Sequence, residues 1–375
     1  MQKNAVSRLI QKARAELQAS DSITHGIQRR QLLTRATALT VGAAGAGAAT
    51  ASTALGVPES NKVMGRPIPE HEYGVPSKFE AHVQRRRTDV LVNKQNFSDW
   101  SFTPLQHQHG IVTPNGLFYE RHHNGIPEIN PDNHRFAIHG LVRQPLMFSM
   151  SDLMRFPSVS KFHFMECSGN GLTDWLKPAS KTVQQTHGLL SCAQWTGIPV
   201  STLLDEAGLL PQATWGLAEG ADGSAHARSI PIKKLLQDAL LVYAVNGEML
   251  RPENGYPLRL FIPGWEGNVS IKWLRRLKLG DQPWLLRSET ARYTDPMPGG
   301  KWRMFSFDME AKSVITAPSG EMKIRRGPVE IVGFAWSGNG KIRGVDVTLD
   351  GGRTWREAQL EEPVLDKCLT RFRFT

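Results

Sequence analysis

Lys161-Phe162-His163-Phe164-Met165-Glu166-Cys167-Ser168-Gly169-Asn170-Gly171 alternates aromatic and polar residues and then breaks into glycines. The alternation up to Glu166 has the period of a half-buried strand, and the Ser-Gly-Asn-Gly run reads as a turn. Cys167 therefore ends a strand and opens a tight loop, with its sulfur free to point from the sheet edge into a cleft. Gly169 and Gly171 carry no Cβ, so a ligand can approach the backbone closely there. A thiolate in that setting is a nucleophile or a soft metal ligand. The plain alternative is a buried structural cysteine.

Around this stretch, 134–140 alternates as a strand, and 151–156 reads as a short helix capped by Ser149 or Ser151. A helix is expected over 200–207, stopped by Gly208, and another over 232–241. Residues 256–262 and 269–279 read as buried strands around the Pro263-Gly264 turn. After about Lys301 the rhythm changes: 329–336 and 345–349 are alternating strands, with Asp350-Gly351-Gly352 as a hairpin turn. Short strands at this spacing predict an antiparallel sandwich, a domain of roughly 100 residues. Fewer remain, and the chain stops inside an apparent strand at Phe372–Thr375, so the sandwich is expected to be incomplete.

A chain of 375 residues and 41.7 kDa has room for two globular domains. Hydrophobic residues at 40% and charged residues at 21% exclude wholesale disorder. The net charge of +10 hints at nucleic acid, but no nucleic-acid module is recognisable. Residues 1–56 hold seven basic and two acidic residues, so +5 of that charge sits there and +5 on the remainder. Within this segment Arg29-Arg30 precedes an uncharged Ala/Gly/Thr-rich run, 36–57, with small-residue cleavage sites. It reads as a twin-arginine export signal, too weakly apolar for a stable membrane span. The alternative is a flexible linker after a basic helix. Residues 57–97 read as an extended arm in which Arg85-Arg86-Arg87 is a solvated surface run. Three cysteines (Cys167, Cys192, Cys368) with no C-x-x-C exclude a disulfide scaffold, a zinc ribbon and a c-type haem attachment. Cys192 and Cys368 are left as a possible pair whose proximity sequence does not show.

Three further clusters carry chemistry. Arg121-His122-His123 follows Phe118-Tyr119 and suits an oxyanion or phosphate, with a solvated basic loop as the alternative. His107 and His109 form H-x-H without a third ligand at recognisable spacing, which favours a surface reading. Arg259 and Lys272 stand on apolar strands and need a partner, either an anionic cofactor or an internal carboxylate. Tyr293 lies in a polar stretch and reads as a surface tyrosine.

Together these pieces resemble the sulfite oxidase family of molybdenum enzymes. Phe118 to His123, Glu166 to Asn170, Ser229-Ile230-Pro231, Asn246-Gly247 to Pro263-Gly264, Lys272-Trp273-Leu274, and Val345-Asp346-Val347 to Trp355 stand in family order over 100–360. Within the family, the export signal, Phe-Tyr-Glu-Arg-His-His and Glu-Cys-Ser-Gly-Asn look most like the molybdenum (C) subunits of bacterial Sox sulfane dehydrogenases. The resemblance implies an α+β fold: a mixed α/β molybdopterin domain over 98–302, then an immunoglobulin-like β-sandwich for dimerisation over 303–375. It implies one molybdenum-molybdopterin per chain, with Cys167 as the protein thiolate on the metal and no haem. Tyr119, Arg121, His122 and His123 are implied beside the pterin and the metal. Arg228, Ser229, Asn254, Arg259 and Lys272 are implied as holding the pterin and its phosphate, with Asn254 where animal members carry His. Arg121, Trp195 and Tyr293 are implied as the substrate pocket.

The implied activity is periplasmic oxidation of a sulfur substrate by oxygen-atom transfer, with electrons leaving to a cytochrome c subunit. Leu172, five residues after Cys167, stands where sulfite oxidases carry Arg, and a second family arginine is replaced near Gly340. Fewer guanidinium groups weaken dianion binding, which points to sulfane sulfur on a carrier protein rather than free sulfite. The alternatives are a sulfite dehydrogenase, a sulfoxide reductase of the same cofactor family, and a non-catalytic exported β-rich binding protein.

Overall fold

The computed structural model describes residues 61–62, 64, 74, 76–87, 98–172, 174 and 181–375. The expected export segment and most of the 57–97 arm lie outside the described residues. Residues 73–375 form one unit. Within it the strands are β1 (Glu120–His122), β2 (Phe136–Gly140), β3 (Val159–Glu166), β4 (Leu190–Pro199), β5 (Trp215–Gly220), β6 (Ala227–Pro231), β7 (Leu240–Val245), β8 (Arg259–Phe261) and β9 (Leu274–Gly280). β10 (Thr294–Met297) and β11 (Lys301–Met304) make a hairpin, followed by β12 (Lys312–Ala317), β13 (Ile331–Trp336) and β14 (Thr370–Phe374).

Two five-stranded sheets form most of the first domain, and β1 pairs with Asp99–Phe102 in a small three-stranded sheet beside them. β3 pairs antiparallel with β4 from Val159↔Gly197 to Glu166↔Leu190; β4 pairs with β7, and β8 also joins β7. In the second sheet β2 and β9 run parallel, and β5 and β6 continue antiparallel beyond β9. Helix α1 (Met150–Leu153) starts at Ser149, whose Oγ accepts from the Asp152 N–H while the Asp152 carboxylate accepts from the Ser149 N–H. Helix α2 spans Val183–His187. Helix α3 (Val200–Ala207) buries Val200, Leu203, Leu204 and Ala207, one stripe at helical spacing, against the core of the second sheet. It ends on Gly208 in the left-handed conformation. Helix α4 (Ile232–Gln237) packs on the same core.

The second domain is a four-stranded antiparallel sheet, β12–β13–β14–(Gln359–Glu361), with a small two-stranded partner. Its Phe334, Trp336 and Leu369 share a core with Phe164, Leu190 and Cys192 of the first sheet. Cys192 and Cys368 are both buried there, with their sulfurs 3.2 Å apart. The two cysteines left open by sequence are therefore neighbours.

Several expectations need correction. The helix expected over 232–241 ends at Gln237, because Leu240–Val245 is claimed by pairing with β4 and β8. The strand expected over 269–279 begins only at Leu274; Trp273 has φ 53, which turns the chain at Lys272-Trp273. The Asp350 turn is no tight hairpin. Its carboxylate instead organises a longer loop, accepting from the Arg353 and Thr354 N–H groups at 3.0 and 2.9 Å. Arg85 is not solvated: it pairs with Glu120 and lies 3.8 Å from Glu253, while Arg86 and Arg87 are exposed.

Candidate active site

The end of β3, β8, the Lys272-Trp273 turn and the segment before β10 converge on one partly open cleft. Cys167 lines it, and its loop is held by backbone bonds: Cys167 N–H to the Leu189 carbonyl (3.0 Å) and Asn170 N–H to the Cys167 carbonyl (2.9 Å). Gly171, at φ +81, supplies the left-handed turn that a Cβ would strain. Burial pushes the Cys167 thiol up; the Gly169 N–H and the Arg121 charge work in the opposite direction.

Around the sulfur, Arg121, Lys272 and Arg259 face the same space. Arg121 is held over the Trp100 ring at 5.2 Å, and its Nη1 donates to Ser98 Oγ at 3.2 Å. Lys272 Nζ donates to the carbonyls of Arg121 (3.0 Å) and Glu253 (3.2 Å) and to His122 Nδ1 (2.8 Å). Nδ1 is then the acceptor, so His122 is neutral and donates from Nε2 to Glu120 at 2.9 Å. Burial holds Lys272 well below its ordinary pKa and brings Arg259 down to about 10. Arg259 is 3% exposed; it donates to the Asn254 and Ser270 carbonyls and stacks on Trp195 at 5.2 Å. Among the described residues no carboxylate lies within ion-pairing distance of Lys272 or Arg259. The internal-carboxylate alternative thus drops out for Arg259, while Lys272, half-buried, is tied to Glu120 through the His122 ring. A buried guanidinium with no carboxylate partner calls for an external anion.

The lining fits a polar, anionic cofactor. Asn254 Oδ1, Asn268 Oδ1 and Arg259 Nε are buried there without a hydrogen-bond partner. A Cβ on Gly267 would stand 2.8 Å from the Glu166 carbonyl and 2.9 Å from Tyr119 Oη. Among the described residues no three His, Cys, Asp or Glu gather as a metal cage.

The oxidoreductase molybdopterin binding domain family matches residues 123–286, and the Mo-co oxidoreductase dimerisation domain family matches 303–370. The crystal structure of the sulfane dehydrogenase SoxCD from Paracoccus pantotrophus superposes with a TM-score of 0.82 at 43% identity, over 86% of this chain and 83% of that one. The chain belongs to the sulfite oxidase family. Mitochondrial sulfite oxidase of Rattus norvegicus is 32% identical over 295 residues, 74% of this chain and 54% of that protein. Nitrate reductase [NADH] 1 of Arabidopsis thaliana is 30% identical over 76% of this chain and 35% of its own length. The chain spans 54% of the length of the rat sulfite oxidase it matches.

In this member of the sulfite oxidase family the cleft gathers Cys167, Tyr119, Arg121, His122, His123 and Asn254, as well as Arg259, Lys272 and Tyr293. Burial keeps both tyrosines protonated by raising their pKa values. Three residues implied by the resemblance are placed elsewhere. Trp195 is fully buried, stacked on Phe261 at 4.7 Å, with Nε1 donating to the His163 carbonyl; it backs Arg259 and does not line the cleft. Ser229 Oγ is used by Glu289 and the Trp284 N–H. Arg228 sits behind Tyr293, 4.8 Å from its ring centroid.

Sequence reading missed His226, Asp222, Asn268 and Glu253, which line the cleft. His226 stacks on His123 at 5.0 Å. Burial, then Arg121 and His226, bring His123 down to about 3, so it is neutral at ordinary pH. Asp222-Gly223-Ser224 looks like an ordinary turn in sequence, and only the fold turns it toward the cleft.

Proposed function

We propose that this chain is the molybdenum subunit of a periplasmic sulfane dehydrogenase, oxidising sulfane sulfur on a carrier protein and passing electrons to a cytochrome c subunit. The observation that carries the reading is the meeting of Cys167 with the buried Arg259 guanidinium and with Lys272, neither ion-paired to a carboxylate, in one cleft. The 43% identity to the SoxCD structure supports the sulfane branch. Cys167 is the residue to bind molybdenum; Lys272 and Arg259 are suited to a pterin phosphate, and Asn254, Asn268 and His123 to pterin edges. A bound molybdopterin supplies two-electron oxygen-atom transfer between water and sulfur.

The chain's own residues do the rest. Neutral His122, fixed by Glu120 and Arg85, holds Lys272 Nζ at the cleft wall together with the Arg121 and Glu253 carbonyls. Arg121, stacked on Trp100, offers a guanidinium to negative charge on the substrate. Tyr293 and Tyr119, protonated, are hydrogen-bond donors beside the sulfur site. Leu172 is exposed where sulfite oxidases carry Arg, which favours a larger, less charged substrate. The family's dimerisation domain supports a homodimer core, and the twin arginine supports export.

Steady-state turnover of carrier-bound sulfane against free sulfite, read by cytochrome c reduction, tests the assignment; a clear preference for sulfite overturns it. Free-sulfite oxidation is the second reading, favoured by the similarity to rat sulfite oxidase. Purified protein devoid of molybdenum and pterin would favour the non-catalytic binding protein instead.

A further inference from the structure

Glu166, the residue before Cys167, is 1% exposed and is bound from three directions. Oε2 accepts from Trp336 Nε1 at 2.7 Å. Oε1 accepts from Lys312 Nζ and from Asn170 Nδ2, both at 3.0 Å. Lys312 and Trp336 are register partners on β12 and β13, so both belong to the β-sandwich. Asn170 belongs to the cysteine loop: its N–H closes the turn on the Cys167 carbonyl, and its Oδ1 accepts from the Leu189 N–H at 3.1 Å. Bonds to a carboxylate are of the strong kind; the fully buried Trp336 donor cannot be replaced by water, whereas Lys312 reaches the carboxylate from the surface.

We infer that Glu166 is a positioning residue through which the β-sandwich holds the Cys167 loop. The domain that matches a dimerisation family thus contributes two donors, Lys312 and Trp336, to the construction of the catalytic centre. A displacement of the sandwich moves the carboxylate, and the carboxylate moves Asn170 and the turn around Cys167. The inference rests on the proposed role of Cys167 for its chemical consequence, whereas the linkage itself is independent of that role.

The test uses the holoenzyme with Trp336→Phe and Lys312→Met, each removing one donor while keeping most of the bulk, and Lys312→Arg as the conservative control. Backbone amide exchange is followed in 167–172, with 331–336 and 370–374 as internal reference, alongside kcat and KM. Trp336→Phe should accelerate exchange in 167–172 by about tenfold or more and Lys312→Met by less, both leaving the reference strands protected and lowering kcat with little change in KM. Lys312→Arg should restore protection. Unchanged loop exchange in both deletions, or equal acceleration in the reference strands, would overturn the inference. Faster loop exchange with undiminished kcat would support the linkage and count against Cys167 as the metal ligand, so the two failures are distinguishable.

Discussion

The guanidinium of Arg228 lies over the ring of Tyr293, 4.8 Å from its centroid, with Nε 3.5 Å from the buried carboxylate of Glu289. Arg228 is 1% exposed, so a cation within the protein fixes the back of a tyrosine whose front lines the cleft. Glu289 in turn is held by Ser229 and by the Leu286 N–H at 3.0 Å. The Ser229–Arg228 segment therefore shapes the substrate side of the site from outside it.

Arg228→Met should weaken catalysis through Tyr293. A desolvated cation–π contact is worth about 2 kcal/mol, or roughly thirtyfold, which is the expected loss in kcat/KM. Steady-state kinetics checks this beside Tyr293→Phe, which deletes the hydroxyl donor itself and should lose at least as much. Wild-type kcat/KM in Arg228→Met would show that Tyr293 does not depend on it.

Trp195→Phe separates a pocket wall from a supporting layer. The indole donates to the His163 carbonyl at 3.1 Å and lies beneath Arg259. Losing that bond should cost about 1 kcal/mol of stability, plus a packing penalty, with KM unchanged. Urea unfolding and substrate titration provide the two readings. A tenfold rise in KM at unchanged stability would restore the wall role that the family resemblance implies.

Acid should destabilise the fold through its buried histidines. Burial lowers the pKa values of His134 and His163, whose rings contact the Leu274 and Lys367 carbonyls. The unfolded chain takes up these protons near pH 6.5, before the folded chain does. Their contribution to stability is therefore complete above about 6.5 and falls away as the pH drops through the lowered folded values. Thermal midpoints at pH 7.5 and 5.5 should differ less in His163→Gln than in wild type; equal differences would exclude His163 from the effect.

What was legible in sequence follows from how local each signal is. The α3 stripe with its Gly208 stop and the strand leading into the Cys167 loop depend on neighbours in the chain and stand where they are expected, while the short helix expected over 151–156 is Met150–Leu153, capped by Ser149 of the two candidate serines. The end of α4 and the Lys272-Trp273 turn depend on partners more than a hundred residues away or across the sheet, such as β4 for Leu240–Val245 and Arg121 for Lys272. Arg85 looks like one of three surface arginines until Glu120 is seen beside it. Trp195 and Ser229 are given site roles by the family resemblance but meet buried partners, which no resemblance reveals.

The central claim is that Cys167 places its sulfur on molybdenum. Molybdenum-edge X-ray absorption of the purified protein, wild type against Cys167→Ser, tests it most directly. The account predicts a wild-type centre with one more sulfur neighbour than the variant, accompanied by loss of sulfur oxidation in the variant. An identical sulfur count in the two proteins, or a variant as active as wild type, would contradict it.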